Sequence, residues 1–297
     1  MRVFVTGATG FIGSAIVPEL LAGGHRVLGL ARSEEGARSL LAAGAEVHRG
    51  DLEDLASLRA GAAVSDGVIH AGFNHDFSRF AENAEADRRA IEALGDVLRG
   101  SDRPLVVTSG IPLTPGRVAT EDDVASGSGG SPRVSEETAI SLLERGVRVS
   151  VVRMSQAHDR NKHGLGSFLI GVAREKGVSA YVGDGLNRWP AVHRLDTAPL
   201  YRLALEKGIA GARYHAVAEE GVPLREIAEA IGRGLEIPVV SLSPEEAAGH
   251  FGWLAFIAGM DVPASNRLTR ERLGWSPSDV PGFIADLERS SEFAARA

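Results

Sequence analysis

The N-terminal stretch Met1–Gly13, MRVFVTGATGFIG, decides how the chain is read. Arg2 to Thr6 is a short apolar run with β-branched residues, which favours an extended strand. It runs into glycines at 7, 10 and 13, after which Ser14-Ala15-Ile16-Val17 and Leu20-Leu21 read as a helix. Strand, glycine turn and helix in that order form a dinucleotide-binding unit. The first glycine turns the chain sharply off the strand, the second lets main chain approach a pyrophosphate, and the third lets the helix sit against the strand. The helix N-terminus then offers free N–H groups and a partial positive charge. Gly7, Thr9, Gly10, Phe11, Ile12 and Gly13 are therefore the expected cofactor contacts at this end of the molecule.

Working outward, Arg26 to Leu30 is a second buried strand, and Ala31-Arg32-Ser33 follows it. Sites that prefer NAD carry an acidic side chain near this point to bond the ribose 2′-hydroxyl. Here Arg32 offers a planar fork to a 2′-phosphate and Ser33 a hydroxyl, so NADP is the expected cofactor; the alternative is that Arg32 only caps a solvated loop. The alternation then repeats. Glu34 to Ala43 reads as helix, Ala45 to His48 as strand, Glu53 to Ala60 as helix and Val64 to His70 as strand. Asp76 to Arg99 reads as one long charged helix with Phe77, Phe80, Ala84, Ile91, Leu94 and Leu98 along an imperfect apolar face. Leu105 to Ser109 is the fifth strand. Strands separated by helices in this rhythm predict a parallel sheet covered on both faces.

Thr6 to Gly13, the Gly50-Asp51-Leu52 triplet and the strand ending at Ser109 together resemble the extended and atypical short-chain dehydrogenase/reductase superfamily, which includes NAD-dependent epimerases and dehydratases. The likeness runs nearly end to end. It implies an α/β fold, a Rossmann-like doubly wound parallel sheet with a small C-terminal α+β substrate-binding lid. Residues 1–158 would form the NADP-binding domain, with about 187–217 returning to it, and 159–297 would be mostly lid. The resemblance further implies an adenine contact at Asp51 and Leu52 and a ribose or pyrophosphate contact at Ala71 and Gly72. The active site would lie beyond the fifth strand, with Thr108 and Met154 expected to contact the cofactor, Phe73 the substrate, and Ser109 to take part in catalysis. The same crevice follows from topology, because ligands of open α/β sheets sit outside the carboxyl ends of the strands.

The superfamily's usual acid–base pair is a Tyr with a Lys four residues later, the Lys lowering the phenol pKa. That pair is absent here: Tyr181, Tyr201 and Tyr214 are the only tyrosines, and none precedes a lysine at that spacing. Aligning Glu137 with the acidic residue common on this helix puts Arg133 in the Lys slot and the Tyr slot near Gly129, inside the loop 126–131. Arg133 keeps a positive charge and is expected at the nicotinamide ribose, although a surface ion pair with Glu137 is an equal reading. Ser109, Tyr181 and His193 are the candidates for catalysis, with Tyr181 as a replacement phenol. Phe73, His158, Asn187 and Trp189 are the candidates for a substrate pocket, while Asp196 is expected to N-cap the following helix. The histidines show no convergent spacing for a metal.

The rest of the chain bounds these readings. With 44% hydrophobic and 24% charged residues the composition is that of a globular protein, not of a disordered or membrane-spanning one. No apolar run has the length of a membrane helix, and the chain enters a strand at once with no leader peptide, so a cytoplasmic location is expected. The lack of cysteine excludes disulfides, thiolate nucleophiles and cysteine-ligated zinc. A formal charge of -7 without a basic tract argues against nucleic acid as a partner. A small organic substrate is expected, and the long helix from Asp76 suits a homodimer contact. The leading expectation is an NADP-dependent oxidoreductase; an epimerase or isomerase and a non-catalytic NADP(H) sensor are the alternatives.

Overall fold

The computed structural model describes residues 1–114, 116–124 and 133–294. The first half of the chain alternates strand and helix as β1 (Arg2–Thr6), α1 (Gly13–Ala22), β2 (Arg26–Ala31), α2 (Glu34–Ala42), β3 (Glu46–Arg49), α3 (Leu55–Ala63), β4 (Gly67–His70), α4 (Phe80–Leu98) and β5 (Pro104–Gly110). There follow α5 (Ser135–Ser141), β6 (Arg148–Met154), β7 (Gln156–His158), α6 (Leu165–Lys176), β8 (Ser179–Val182), β9 (Arg188–His193), α7 (Arg194–Lys207) and β10 (Arg213–Ala216). The remainder is β11 (Glu219–Pro223), α8 (Leu224–Leu235), β12 (Val239–Leu242), α9 (Pro244–Phe251), α10 (Ala255–Ala258), α11 (Arg267–Leu273) and α12 (Phe283–Glu288). Among the described residues no helix is long and apolar enough to cross a membrane.

Seven strands form one parallel sheet in the order β10-β6-β5-β4-β1-β2-β3. Successive side chains of a strand point to opposite faces, and these strands are apolar on both. Val3, Val5, Val106 and Val152 join one core with Ile16 and Leu20 of α1, Leu40 of α2 and Leu200, Tyr201 and Leu205 of α7. Phe4, Leu105, Val107 and Val151 join the other with Leu58 of α3, Ile91 and Leu94 of α4 and Ala139 of α5. The expected doubly wound architecture is thus present. A third core, with Trp189, Ile170, Ile227, Phe251 and Phe283 inside, belongs to a lobe built on α6, α8, α9 and α12. Short sheets β11-β9-β7 and β12-β8 stiffen this half of the molecule.

Strand β4 begins at Gly67 rather than Val64 and α3 spans Leu55–Ala63 rather than 53–60, and the starts of two further helices differ for reasons their side chains supply. The helix read over 76–99 is interrupted at its start: Asp76 caps a single 3-10 turn, Phe77–Arg79, by accepting the Ser78 N–H, and α4 begins only at Phe80. The helix expected to be capped by Asp196 begins earlier, because His193 Nδ1 accepts the Leu195 N–H at 3.2 Å. Asp196 in its first turn instead accepts the Ser278 N–H and hydroxyl, while its carbonyl accepts the Trp275 indole N–H at 3.0 Å, which pins the C-terminal segment to α7.

Candidate active site

Strand order reverses between β1 and β4, and the glycine turn lies at that switch point. Gly7 has φ +67°, and a Cβ there would lie 2.7 Å from Ala71 O and from Gly72 N, so the loops after β1 and β4 touch through main chain alone. A Cβ on Gly13 would stand 2.0 Å from Gly7 O. A Cβ on Gly72 would meet Leu52 Cδ2 at 2.9 Å and Gly7 N at 3.1 Å. The N-terminus of α1 has no side-chain cap, and Gly10 N–H folds back on Gly7 O at 2.9 Å. A tight main-chain cradle leading into an uncapped helix start fits a dinucleotide diphosphate. Arg32 is exposed at the carboxyl end of β2, whereas the Ser33 hydroxyl already caps α2 by accepting Gly36 N–H at 3.1 Å. Asp51 Oδ1 accepts the Glu53 N–H. Arg194 reaches over from α7: its guanidinium donates to Phe11 O at 3.4 Å and Ser14 Oγ at 3.1 Å and pairs with Asp159 at 2.7 Å.

A buried hydrogen-bonded chain runs from this turn to the end of β5. Gly72 N–H donates to Thr6 Oγ1 at 3.3 Å, and Thr6 Oγ1 lies 2.8 Å from His70 Nδ1. His70 Nε2 is 3.0 Å from Asp87 Oδ1, and the Ser135 hydroxyl donates to Asp87 Oδ2 at 2.5 Å. One tautomer satisfies every bond: an ionised Asp87 accepts from His70 Nε2, which leaves Nδ1 to accept the Thr6 hydroxyl. Burial pushes the Asp87 carboxyl up, but the His70 hydrogen bond, the Arg133 charge and the Ser135 hydrogen bond outweigh it and hold the group below its usual value. Arg133 completes the chain, donating Nε–H to Ser135 Oγ at 2.9 Å and Nη2–H to Thr108 O at 3.3 Å, with its guanidinium 4.0 Å above the Phe73 ring. Thr108 Oγ1 donates to His70 O at 2.9 Å, so the Tyr201 hydroxyl 2.6 Å away donates to Thr108. Burial raises the Tyr201 phenol well above its ordinary pKa.

The structure therefore brings Gly7, Gly72, Ala71 and Leu52 together at the switch point, and Arg133, Thr108 and Phe73 together beside it. Ser109 and Met154 lie at the ends of adjacent strands, in register with Arg153 and Gly110. The Tyr slot near Gly129 falls outside the described residues. Five of the candidate residues make other contacts. Trp189, expected in a pocket, is a core residue at 1% exposure with its N–H on Ile257 O. Asn187 donates to the carbonyls of Ala258 and Met260 and so ties two loops. Tyr181 sits in the β12-β8 sheet under Arg225, away from the end of β5. His158 and His193 are buried edge to face against each other, with His158 Nδ1 2.8 Å and His193 Nε2 3.6 Å from the same oxygen of Asp286 on α12. Burial drives the His158 imidazole down to about 4 against the pull of Asp286.

His70, Asp87, Ser135 and Tyr201 escaped the sequence reading. Asp87 did leave a trace, because it stands on the apolar stripe Phe80-Ala84-Ile91-Leu94 of α4, where a carboxylate is out of place unless something buried pairs with it.

Comparison with known proteins finds likeness at the level of family and fold. The family model described as the NAD dependent epimerase/dehydratase family matches residues 3–102. An uncharacterized protein of Schizosaccharomyces pombe is 50% identical over 296 residues, spanning 99% of this chain and 100% of the relative. A 4-hydroxy-2-methyl-3-oxo-4-farnesyl-3,4-dihydroquinoline-1-oxide ketoreductase of Stigmatella aurantiaca is 27% identical over 284 residues, covering 89% of this chain and 84% of that one. The solved Thermus thermophilus UDP-glucose 4-epimerase, in complex with NAD, shares the fold at TM-score 0.73 and 21% identity with both chains fully covered. Residues 3–102 thus match the NAD-dependent epimerase/dehydratase family, and over 99% of its length the chain is related to the Schizosaccharomyces pombe protein.

Proposed function

We propose that this protein is an NADP-dependent oxidoreductase that reduces a carbonyl, or oxidises the matching alcohol, of a small organic molecule. The observation that carries the reading is the convergence of Arg133, Thr108 and Phe73 at the carboxyl ends of β4 and β5, one strand from the glycine turn. When bound, the nicotinamide supplies or accepts the hydride. The main chain of the glycine turn and the start of α1 hold the diphosphate, and Arg32 meets the 2′-phosphate. Arg133, fixed by Ser135 and Thr108, faces the charge that develops on the substrate oxygen; a permanently charged donor stabilises that oxygen without exchanging a proton. Ser109, at the end of β5, is the hydroxyl that gives that oxygen a proton and regains one from solvent. The ketoreductase named among the relatives supports the direction of reaction.

Titration of the purified protein with NADPH and NADH, followed by turnover of a carbonyl panel, tests the reading. Arg32→Asp raises the NADPH dissociation constant by at least about tenfold and leaves NADH nearly unchanged. Equal losses for both coenzymes would remove Arg32 from the 2′-phosphate site. Substrate conversion without consumption of NADPH would favour an epimerase, and coenzyme binding without conversion a sensor.

A further inference from the structure

From Arg133 a file of aromatic rings leads out to the molecular surface. Phe73, under the Arg133 guanidinium, meets Phe80 at 6.0 Å between ring centroids, edge to face. Phe80 meets Phe77 at 5.6 Å. Phe77 is stacked on Trp253 at 4.9 Å with 27° between planes and is edge-on to Phe168 at 5.7 Å, and Phe168 closes the triangle with Trp253 at 5.4 Å. Phe73, Phe77 and Phe80 belong to the segment after β4 and the start of α4, whereas Phe168 is on α6 and Trp253 follows α9. The outermost rings are open to solvent, Trp253 at 52% and Phe168 at 41%. Rings from both halves of the molecule are held in mutual contact, and the outer members present an aromatic surface to solvent.

We infer that this file is a wall of the substrate's path and that the substrate is a flat, conjugated or aryl carbonyl compound whose ring lies along Phe77 and Trp253 with its carbonyl oxygen on the side towards Arg133. The inference rests on the oxidoreductase reading for the role of that oxygen, but ring recognition stands on the aromatic geometry alone. Ring faces and edges of this kind attract another π system beyond simple burial, whereas a saturated ring of equal size gains only the burial. The file is also long enough for more than one fused ring, since it passes through four aromatic residues between Arg133 and solvent.

The test compares 2-acetonaphthone, acetophenone, cyclohexyl methyl ketone and UDP-glucose by calorimetric titration of the NADP+-loaded protein, in which both partners are oxidised and nothing turns over. Affinity should fall in the order naphthyl, phenyl, cyclohexyl, with at least about fivefold between naphthyl and cyclohexyl. Phe77→Leu and Trp253→Leu should each erase most of that gap while NADPH affinity stays at the wild-type value. Trp189 and Trp275 are buried and Trp253 is exposed, so emission quenched by the naphthyl ketone should lose its ligand response in Trp253→Leu. Equal affinity for the aromatic and saturated ketones, tighter binding of UDP-glucose than of either, no saturable binding of any of the four, or an unchanged gap in both variants would each overturn the inference. Failure of the oxidoreductase reading looks different: the naphthyl ketone binds in the predicted order, yet NADPH is not consumed with it.

Discussion

Asp87 is the single side chain on which the arrangement around β5 depends. Its two oxygens hold His70 on one side and Ser135 on the other, and through Ser135 they fix Arg133. Asp87→Asn removes the charge that a buried His70 bond and the Arg133 guanidinium both face. Chemical denaturation should show a loss of about 3 kcal/mol, because truncating one partner of a buried charged network leaves the others unpaired. Turnover should fall as well, since Arg133 loses its fixed orientation. An unchanged denaturation midpoint would mean that Asp87 is a passive passenger on α4. The aspartate was visible in the sequence as an intruder on an apolar stripe, but its partners were not. His70 and Ser135 are 17 and 48 residues away, and no local pattern announces a contact across that separation.

At the scale of elements, the loops after β1 and β4 meet with no room for a side chain. Gly7→Ala would put a methyl group into main chain at 2.7 Å and impose a positive φ on a residue that resists it. Melting experiments should show a cost of at least about 2 kcal/mol, with coenzyme binding lost. Retained NADPH affinity would show that this turn does not shape the diphosphate cradle. This part of the molecule was fully legible, because a strand, three spaced glycines and a helix are consecutive in the chain. The later elements were less so. His193 rather than Asp196 caps α7, and Trp189 turns into the lobe, because what decides both is a carboxylate or carbonyl supplied from far along the chain: Asp286 for the first, Ile257 for the second. The reading of residues 76–99 as one helix failed for a local reason instead, since the Asp76 side chain competes with the helix for the Ser78 N–H.

For the whole molecule, the buried histidines govern the response to acid. His158 is fully buried with its pKa lowered to about 4, by burial first and against the opposing pull of Asp286, and His215 is likewise lowered to about 4 by burial. An unfolded chain binds protons at these rings near 6.5, where the folded protein refuses them until about 4. Their contribution is therefore present above pH 6.5 and is lost as the pH falls towards 4, about 3 kcal/mol for each ring at most. Denaturation at a series of pH values should show stability falling through this window, and His158→Gln should make the slope shallower. A flat profile in the wild type would mean that both rings are reached by solvent. The grip of Arg194 on Phe11 and Ser14 has a different reach. Whatever settles on the glycine turn bears on a side chain whose other anchor, Asp159, opens the second half of the polypeptide. Loading with coenzyme should therefore slow amide hydrogen exchange in residues 159–165, in a segment that shares no strand with the parallel sheet, and the two halves would tighten as one.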